Sequence, residues 1–132
     1  AREKALSELP EMVVGSDASS GAIRNARRNA ERAGIAQFVT FGNRDIEEVS
    51  PPPPPGIVLC NPPYGVRLGE EETLKPLYRK IGDMLKRRFN GYTAYILTGN
   101  AALASCVGLR ASRRIVLFNG PIECRLLRYE LY

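Results

Sequence analysis

Asn61-Pro62-Pro63-Tyr64 places an amide, two proline carbonyls and a phenol ring in four consecutive positions. The apolar run Ile57-Val58-Leu59-Cys60 directly before it predicts a buried strand that delivers the tetrapeptide to a sheet edge. Two prolines hold φ at about −65° and remove two backbone donors, so the main chain there is stiff and extended and its carbonyls need serve no ladder. The Asn61 amide oxygen and the Pro62 carbonyl, held side by side, can accept both hydrogens of a planar exocyclic amine, while the Tyr64 ring offers a face to a flat base. Such a nitrogen is a poor nucleophile because its lone pair is delocalised into the ring. Two acceptors that draw its hydrogens out of plane localise that pair for attack on an electrophilic methyl group. The bland alternative is a proline turn, since Asn-Pro is a common loop dipeptide.

Strands and helices must position this corner. Glu3–Leu9 reads as the end of a helix stopped by Pro10, and Met12-Val13-Val14-Gly15-Ser16 as a short buried strand ending at Asp17. Ser19 or Ser20 caps a helix with Ala22, Ile23, Ala26, Ala30 and Ala33 at helical spacing, closed by Gly34. Its other side carries Arg24, Arg27, Arg28 and Arg32, read first as a solvated face and second as a nucleic-acid contact. A second strand, Phe38–Phe41, precedes a helical turn around Ile46-Glu47-Glu48. Pro51–Pro55 is an extended, rigid spacer leading into the Ile57 strand.

Beyond the corner, Gly65 and Gly69 bound a loop with freedom to close over a base, and Arg67 within it either reaches a substrate phosphate or is simply solvated. Glu70-Glu71-Glu72 then opens a helix with apolar positions Leu74, Leu77, Tyr78, Ile81, Met84, Leu85 and Phe89, ending in Lys86-Arg87-Arg88; both ends complement the helix dipole. Pro76 is expected in its first turn, where a missing donor costs little. Thr93–Leu97 reads as a strand and Ala101–Val107 as a short helix. Arg114–Phe118 and Cys124–Leu131 form an antiparallel pair about Asn119-Gly120-Pro121. Alternating strands and helices with a terminal hairpin predict an α/β fold, a largely parallel sheet with an antiparallel edge.

Composition narrows the chemistry. With 44% apolar and 25% charged residues the 132-residue chain has the make-up of one ordinary globular domain. Its net charge is +5, and 15 of its 19 basic residues are arginine, the residue suited to bidentate phosphate contacts and to stacking on bases. Nucleic acid is therefore a plausible partner. Cys60, Cys106 and Cys124 are well separated in apolar surroundings, which suggests core residues in a reduced compartment rather than disulfides or a metal site. The absence of histidine excludes imidazole triads, zinc–histidine sites and the usual neutral-pH proton shuttle. No apolar run approaches the roughly 20 residues that cross a bilayer, and 1–11 lacks the centre of a signal peptide, so a cytoplasmic location is expected.

Asn-Pro-Pro-Tyr after a strand resembles the signature of class I S-adenosylmethionine-dependent amino-methyltransferases. The flanks, Gly65-Val66-Arg67-Leu68-Gly69-Glu70-Glu71, Leu77-Tyr78-Arg79, Gly82-Asp83 and Leu85-Lys86, are similar to the ribosomal RNA guanine-N2 methyltransferases of the RlmL type. So are Ser112-Arg113-Arg114-Ile115 and Asn119–Tyr129, and the likeness runs from about Gly15 to the C-terminus. The resemblance implies a Rossmann-like methyltransferase fold and S-adenosylmethionine as cofactor, with no metal. It implies catalytic roles for Asn61, Pro62, Pro63 and Tyr64; as read from the residues, Tyr64 would stack on the substrate base and Arg67 could reach a substrate phosphate. Asp17 with Ala18 would hold the cofactor ribose, and Asp45 with Ile46 its adenine, Asn61 also bordering the cofactor; as plain sequence, either aspartate can be a helix cap.

One element departs from the pattern: no Gly-x-Gly loop occurs upstream of Asp17. The chain thus reads as the C-terminal part of a catalytic domain, 1–132, lacking a first strand that in the resembled fold lies between those ending at Asp17 and Asn61. Its sheet is expected to be completed by an upstream segment, another chain or a neighbouring copy. Other readings stay open: methylation of adenine in DNA or of glutamine in protein, or a non-catalytic binding module unable to hold the cofactor alone.

Overall fold

The structure is a computed structural model that describes residues 9–65 and 67–132. Apart from Leu9, the helix expected over Glu3–Leu9 lies outside the described residues. The chain divides between Val49 and Ser50 into two units.

In the first unit, β1 (Val13–Asp17) and β2 (Val39–Asn43) pair in parallel from Val13↔Val39 to Asp17↔Asn43, joined through α1 (Ser20–Ala33). Ser19 is the cap: it lies in the extended region, and its Oγ accepts the Ala22 N–H at 3.2 Å. Gly34 ends the helix at φ 73°, a left-handed conformation that glycine adopts without a Cβ clash. Ile23 and Ala30 are buried, whereas Arg24, Arg27, Arg28 and Arg32 are exposed, as the periodicity requires. The expectation of a buried first strand is corrected, since Met12, Val13 and Val14 are all more than half exposed. Within this unit and among the described residues, β1 is paired on one edge only, by β2, and a single helix cannot cover both faces of two strands.

The second unit is a four-stranded mixed sheet in the order β3-β4-β6-β5, where β3 is Gly56–Cys60, β4 Tyr92–Thr98, β5 Arg113–Asn119 and β6 Ile122–Glu130. β3 runs parallel to β4, while β6 is antiparallel to both β4 and β5. The proline spacer is not extended throughout: it bends over 53–55, just after Pro52, whose carbonyl accepts from the Tyr92 hydroxyl at 2.6 Å. Helix α2 (Glu70–Arg88) returns the chain from β3 to β4, and the short α3 (Ala101–Ser105) leads on toward β5. Alternation along β4 buries Tyr92, Ala94, Ile96 and Thr98 on one face, against Tyr78, Ile81 and Leu85 of α2 and beside Leu127 and Tyr129 of β6. Each such apolar side chain contributes about 1.5–3 kcal/mol of burial. Pro76 is not in the first turn of α2 but seven residues in, so the Glu72 carbonyl loses its usual i+4 donor.

The opposite sheet face is largely bare, except where Tyr64 lies beside the buried Cys124. Strand register puts Ile57, Leu59, Tyr95, Leu97, Leu126 and Leu117 on it together, and Ile57 and Leu59 are 73% and 69% exposed. The predicted strand exists, but only its Val58 and Cys60 side is partly covered, because no described element of this unit packs on the other. Within this unit and among the described residues, β3 is also an edge strand, with β4 alone beside it.

Among the glycines of this unit, Gly82 leaves the least room for a side chain. A Cβ built there would lie 1.8 Å from the Val107 carbonyl oxygen, a backbone atom that cannot rotate aside. Gly82→Ala is therefore expected to destabilise the protein by about 1–3 kcal/mol or more despite the higher helix propensity of alanine, measurable as a lowered denaturation midpoint. An unchanged midpoint would show that α2 is free to shift.

Candidate active site

The tetrapeptide leaves the C-terminal end of β3 and is braced from beneath by a buried hydroxyl pair. Tyr78, fully buried on α2, donates to the Pro63 carbonyl at 2.9 Å and lies 2.9 Å from the Thr98 Oγ1 at the end of β4. Thr98 Oγ1 in turn accepts the Asn100 N–H at 3.3 Å. With Tyr78 donating upward, Thr98 donates to it and accepts from Asn100, so each hydroxyl is used in both senses. Burial raises the Tyr78 phenol above its ordinary pKa, with the Thr98 hydrogen bond opposing it, and the group stays a neutral donor.

Because Tyr78 takes the Pro63 carbonyl, the acceptors left at the corner are the Asn61 amide and the Pro62 carbonyl, neither of which receives a hydrogen bond among the described residues. Asn61 is exposed and Pro62 buried. Tyr64 is held from two sides. Its hydroxyl accepts the Asn119 Nδ2–H at 2.7 Å, and its ring lies so close to Gly99 that a Cβ there would meet it at 2.8 Å. The ring is half-buried, with its edge seated against the strand ends.

Sequence reasoning missed Tyr78, Thr98, Gly99 and Asn119. Only Asn119-Gly120-Pro121 carried a signal, read for its turn; the turn forms, Gly120 at φ 62°, and Asn119 lies beside it on the edge strand. Arg67 is well exposed and makes a loose 3.8 Å contact with Glu70, and Gly65 and Gly69 both take positive φ. Burial pushes the Cys60 thiol up to about 11, so just before the corner it remains a protonated thiol and not a nucleophile. Cys124 is buried and Cys106 half-buried.

Asp17 and Asp45 come to one edge of the first unit, at the C-terminal ends of its two parallel strands. Both do serve as turn acceptors: Asp17 Oδ1 takes the Ser19 N–H at 2.8 Å, and Asp45 Oδ1 takes the Glu47 N–H at 3.1 Å. Each carboxylate keeps a second oxygen with no partner among the described residues. Asn43 Nδ2 ties the Asp17 and Ala18 carbonyls at 3.1 and 3.0 Å, which fixes the loop between β1 and α1. Exposed carboxylate oxygens on a fixed strand end suit ligands that bring hydroxyl or amino donors. Ile46 opens the 3-10 turn that Asp45 caps.

The chain matches the family UPF0020, described as RMKL-like, methyltransferase domain, over residues 1–128. It is 44% identical over 128 residues to the ribosomal RNA large subunit methyltransferase K/L of Legionella pneumophila, covering 95% of this chain and 18% of that protein. Its counterpart in Methylococcus capsulatus is 42% identical over 134 residues, covering 99% and 18%. The chain thus spans about a fifth of these curated relatives. Among solved structures, SMU.472 in its complex with SAH is similar with a TM-score of 0.89 at 23% identity, over 99% of this chain and 34% of that one. The architecture is therefore that of the Rossmann-like methyltransferases, and the chain belongs to the RMKL-like methyltransferase domain family.

Proposed function

We propose that this chain is part of the catalytic domain of an RNA methyltransferase that uses S-adenosylmethionine and acts on the exocyclic N2 amine of guanine in large-subunit ribosomal RNA. The observation that carries the reading is the pair of unfilled acceptors, Asn61 Oδ1 and the Pro62 carbonyl, at a corner whose neighbouring carbonyl is already anchored by Tyr78. The names of the relatives support ribosomal RNA as the substrate class.

The two acceptors take the two amine hydrogens and pull them from the plane of the base, which returns the lone pair to nitrogen. Tyr64 stacks on the base, a contact worth roughly 1–3 kcal/mol, and Asn119 keeps the ring from rotating about its own bonds. Arg67 meets a substrate phosphate. The cofactor, when bound, supplies an electrophilic methyl group on a sulfonium sulfur. Asp17 with Ala18 holds its ribose and Asp45 with Ile46 its adenine, since both aspartates offer the acceptor oxygen that hydroxyl and amino donors need. The proton shed by the amine passes to solvent. With no histidine in the chain and the Cys60 thiol neutral, positioning carries the chemistry.

The sheet is completed by a further strand and its covering layer, from an upstream segment or another chain. The unpaired edge of β3 and the exposed Ile57 and Leu59 favour this, because an α/β sheet is ordinarily buried on both faces.

Methyl incorporation into ribosomal RNA, DNA and a release-factor-like peptide tests the substrate; transfer to the peptide alone overturns the RNA reading. In the full-length protein Asn61→Ala is expected to lower kcat by about 10²-fold or more with cofactor affinity retained. Asp17→Ala should do the converse, weakening cofactor binding in isothermal titration by about tenfold. For the Tyr64 brace, Asn119→Ala and Tyr64→Phe are each expected to reduce kcat, and the double variant to be no worse than the more severe single one; additive losses would mean that the two side chains act separately.

A further inference from the structure

A cavity of about 380 Å³ opens between α3, residues 109–111 and the β5–β6 hairpin, of a size that suits a small organic ligand. Its charged lining is Arg114, Glu123 and Arg125. Register explains why they converge: Thr98 pairs with Arg125 and Arg114 with Leu127, so these side chains leave the same sheet face. Leu109 and Leu127 add apolar wall.

Two guanidinium groups face one carboxylate. Arg125 is spoken for in part, with Nη1 at 3.4 Å from Glu123 Oε2 and 3.4 Å from the Cys124 carbonyl. Arg114 is exposed and has no ion pair or hydrogen bond among the described residues. The cavity therefore carries an excess positive charge and a free planar fork of donors, the arrangement that takes a phosphodiester. Its wall also contains Thr98 and Gly99, the residues that brace the Pro63 carbonyl through Tyr78 and seat the Tyr64 ring. The Tyr64 ring meets Gly99 from the other sheet face, where it lies beside Cys124, so a strand whose base rests on Tyr64 reaches the cavity by passing over the ends of β4 and β6.

Building on the RNA reading above, we propose that this cavity receives a nucleotide next to the target in the RNA strand. Its phosphate lies on Arg114 and Arg125, its base lies against Leu109 and Leu127, and Glu123 accepts from an amino or imino edge of that base.

The test compares the full-length protein with an Arg114→Gln/Arg125→Gln variant and with the corresponding double lysine variant, using an RNA oligonucleotide as probe. The glutamine pair is expected to raise KM for RNA about tenfold, leave kcat within about twofold, and flatten the dependence of log KM on log salt by about one to two units. The lysine pair should restore the salt slope, since charge is kept. Unaltered S-adenosylhomocysteine affinity and thermal midpoint show that folding is intact. An RNA KM and salt slope equal to those of the parent would overturn the cavity assignment while leaving the function standing. Should the parent transfer no methyl to RNA, the function reading fails instead, and direct RNA binding by fluorescence anisotropy decides the cavity: weaker binding by the glutamine pair supports it, and equal binding overturns it.

Discussion

The corner at Asn61–Tyr64 depends on one buried phenol. Tyr78 stands on α2, reaches the Pro63 carbonyl above it and the Thr98 hydroxyl beside it, and so links a helix, a central strand and a loop through two 2.9 Å contacts. Such hydrogen bonds each contribute about 1 kcal/mol net to stability. Inside the unit they also satisfy groups that would otherwise be stranded, which makes the network specify geometry more than stability. Two prolines stiffen the corner along the chain, and Tyr78 pins it in the remaining direction. The loop is thereby a fixed object before any ligand arrives.

A rigid corner needs a rigid sheet behind it, and the sheet is unevenly supported. The apolar residues on one face of β4, with Leu127 and Tyr129 of β6, are packed to near-zero exposure, whereas the other face of the sheet leaves Ile57 and Leu59 of β3 in water. β4 is central and paired on both sides; β3, which carries the corner, is an edge. The stiffness of the corner thus flows from β4 and α2 rather than from its own strand, and this is why Tyr78 and Thr98, neither of them in the motif, determine its shape.

Much of this was legible in the sequence where one element decided the outcome. The Ser19 cap, the Gly34 stop, the α2 amphipathic stripe and the Gly120 turn follow from local chemistry, and each forms. The aspartates show both of their readings at once, each capping a turn with one oxygen and leaving the other open. What stayed hidden required two distant elements. Nothing near Asn119 announces that its amide will find the Tyr64 hydroxyl 55 residues away, and Gly99 looks like a loop glycine until the ring is seen against it. Burial of the apolar runs at Met12–Val14 and Ile57–Leu59 was misread for a related reason: a hydrophobic run shows that a strand wants covering layers, not that the chain supplies them.

These separations bear on how the chemistry is divided. The motif residues carry no imidazole, carboxylate or amine, and the thiol that precedes them is pushed up to about 11. On the reading proposed above, a site so composed would not take a proton first but would hold hydrogens, planes and phosphates in place. Each holding contact then matters through its direction. The Pro62 carbonyl is aimed by backbone, the Tyr64 plane by Asn119 and Gly99, and all of them ultimately by the ends of β4 and β6, which the hairpin ties together from Thr98↔Arg125 onward. On the reading proposed above, the amine acceptors and the arginine-lined cavity lie on either side of those same strand ends, which would make the hairpin the common reference for base and backbone, so that a strand gripped at its phosphate would already be aligned at its base.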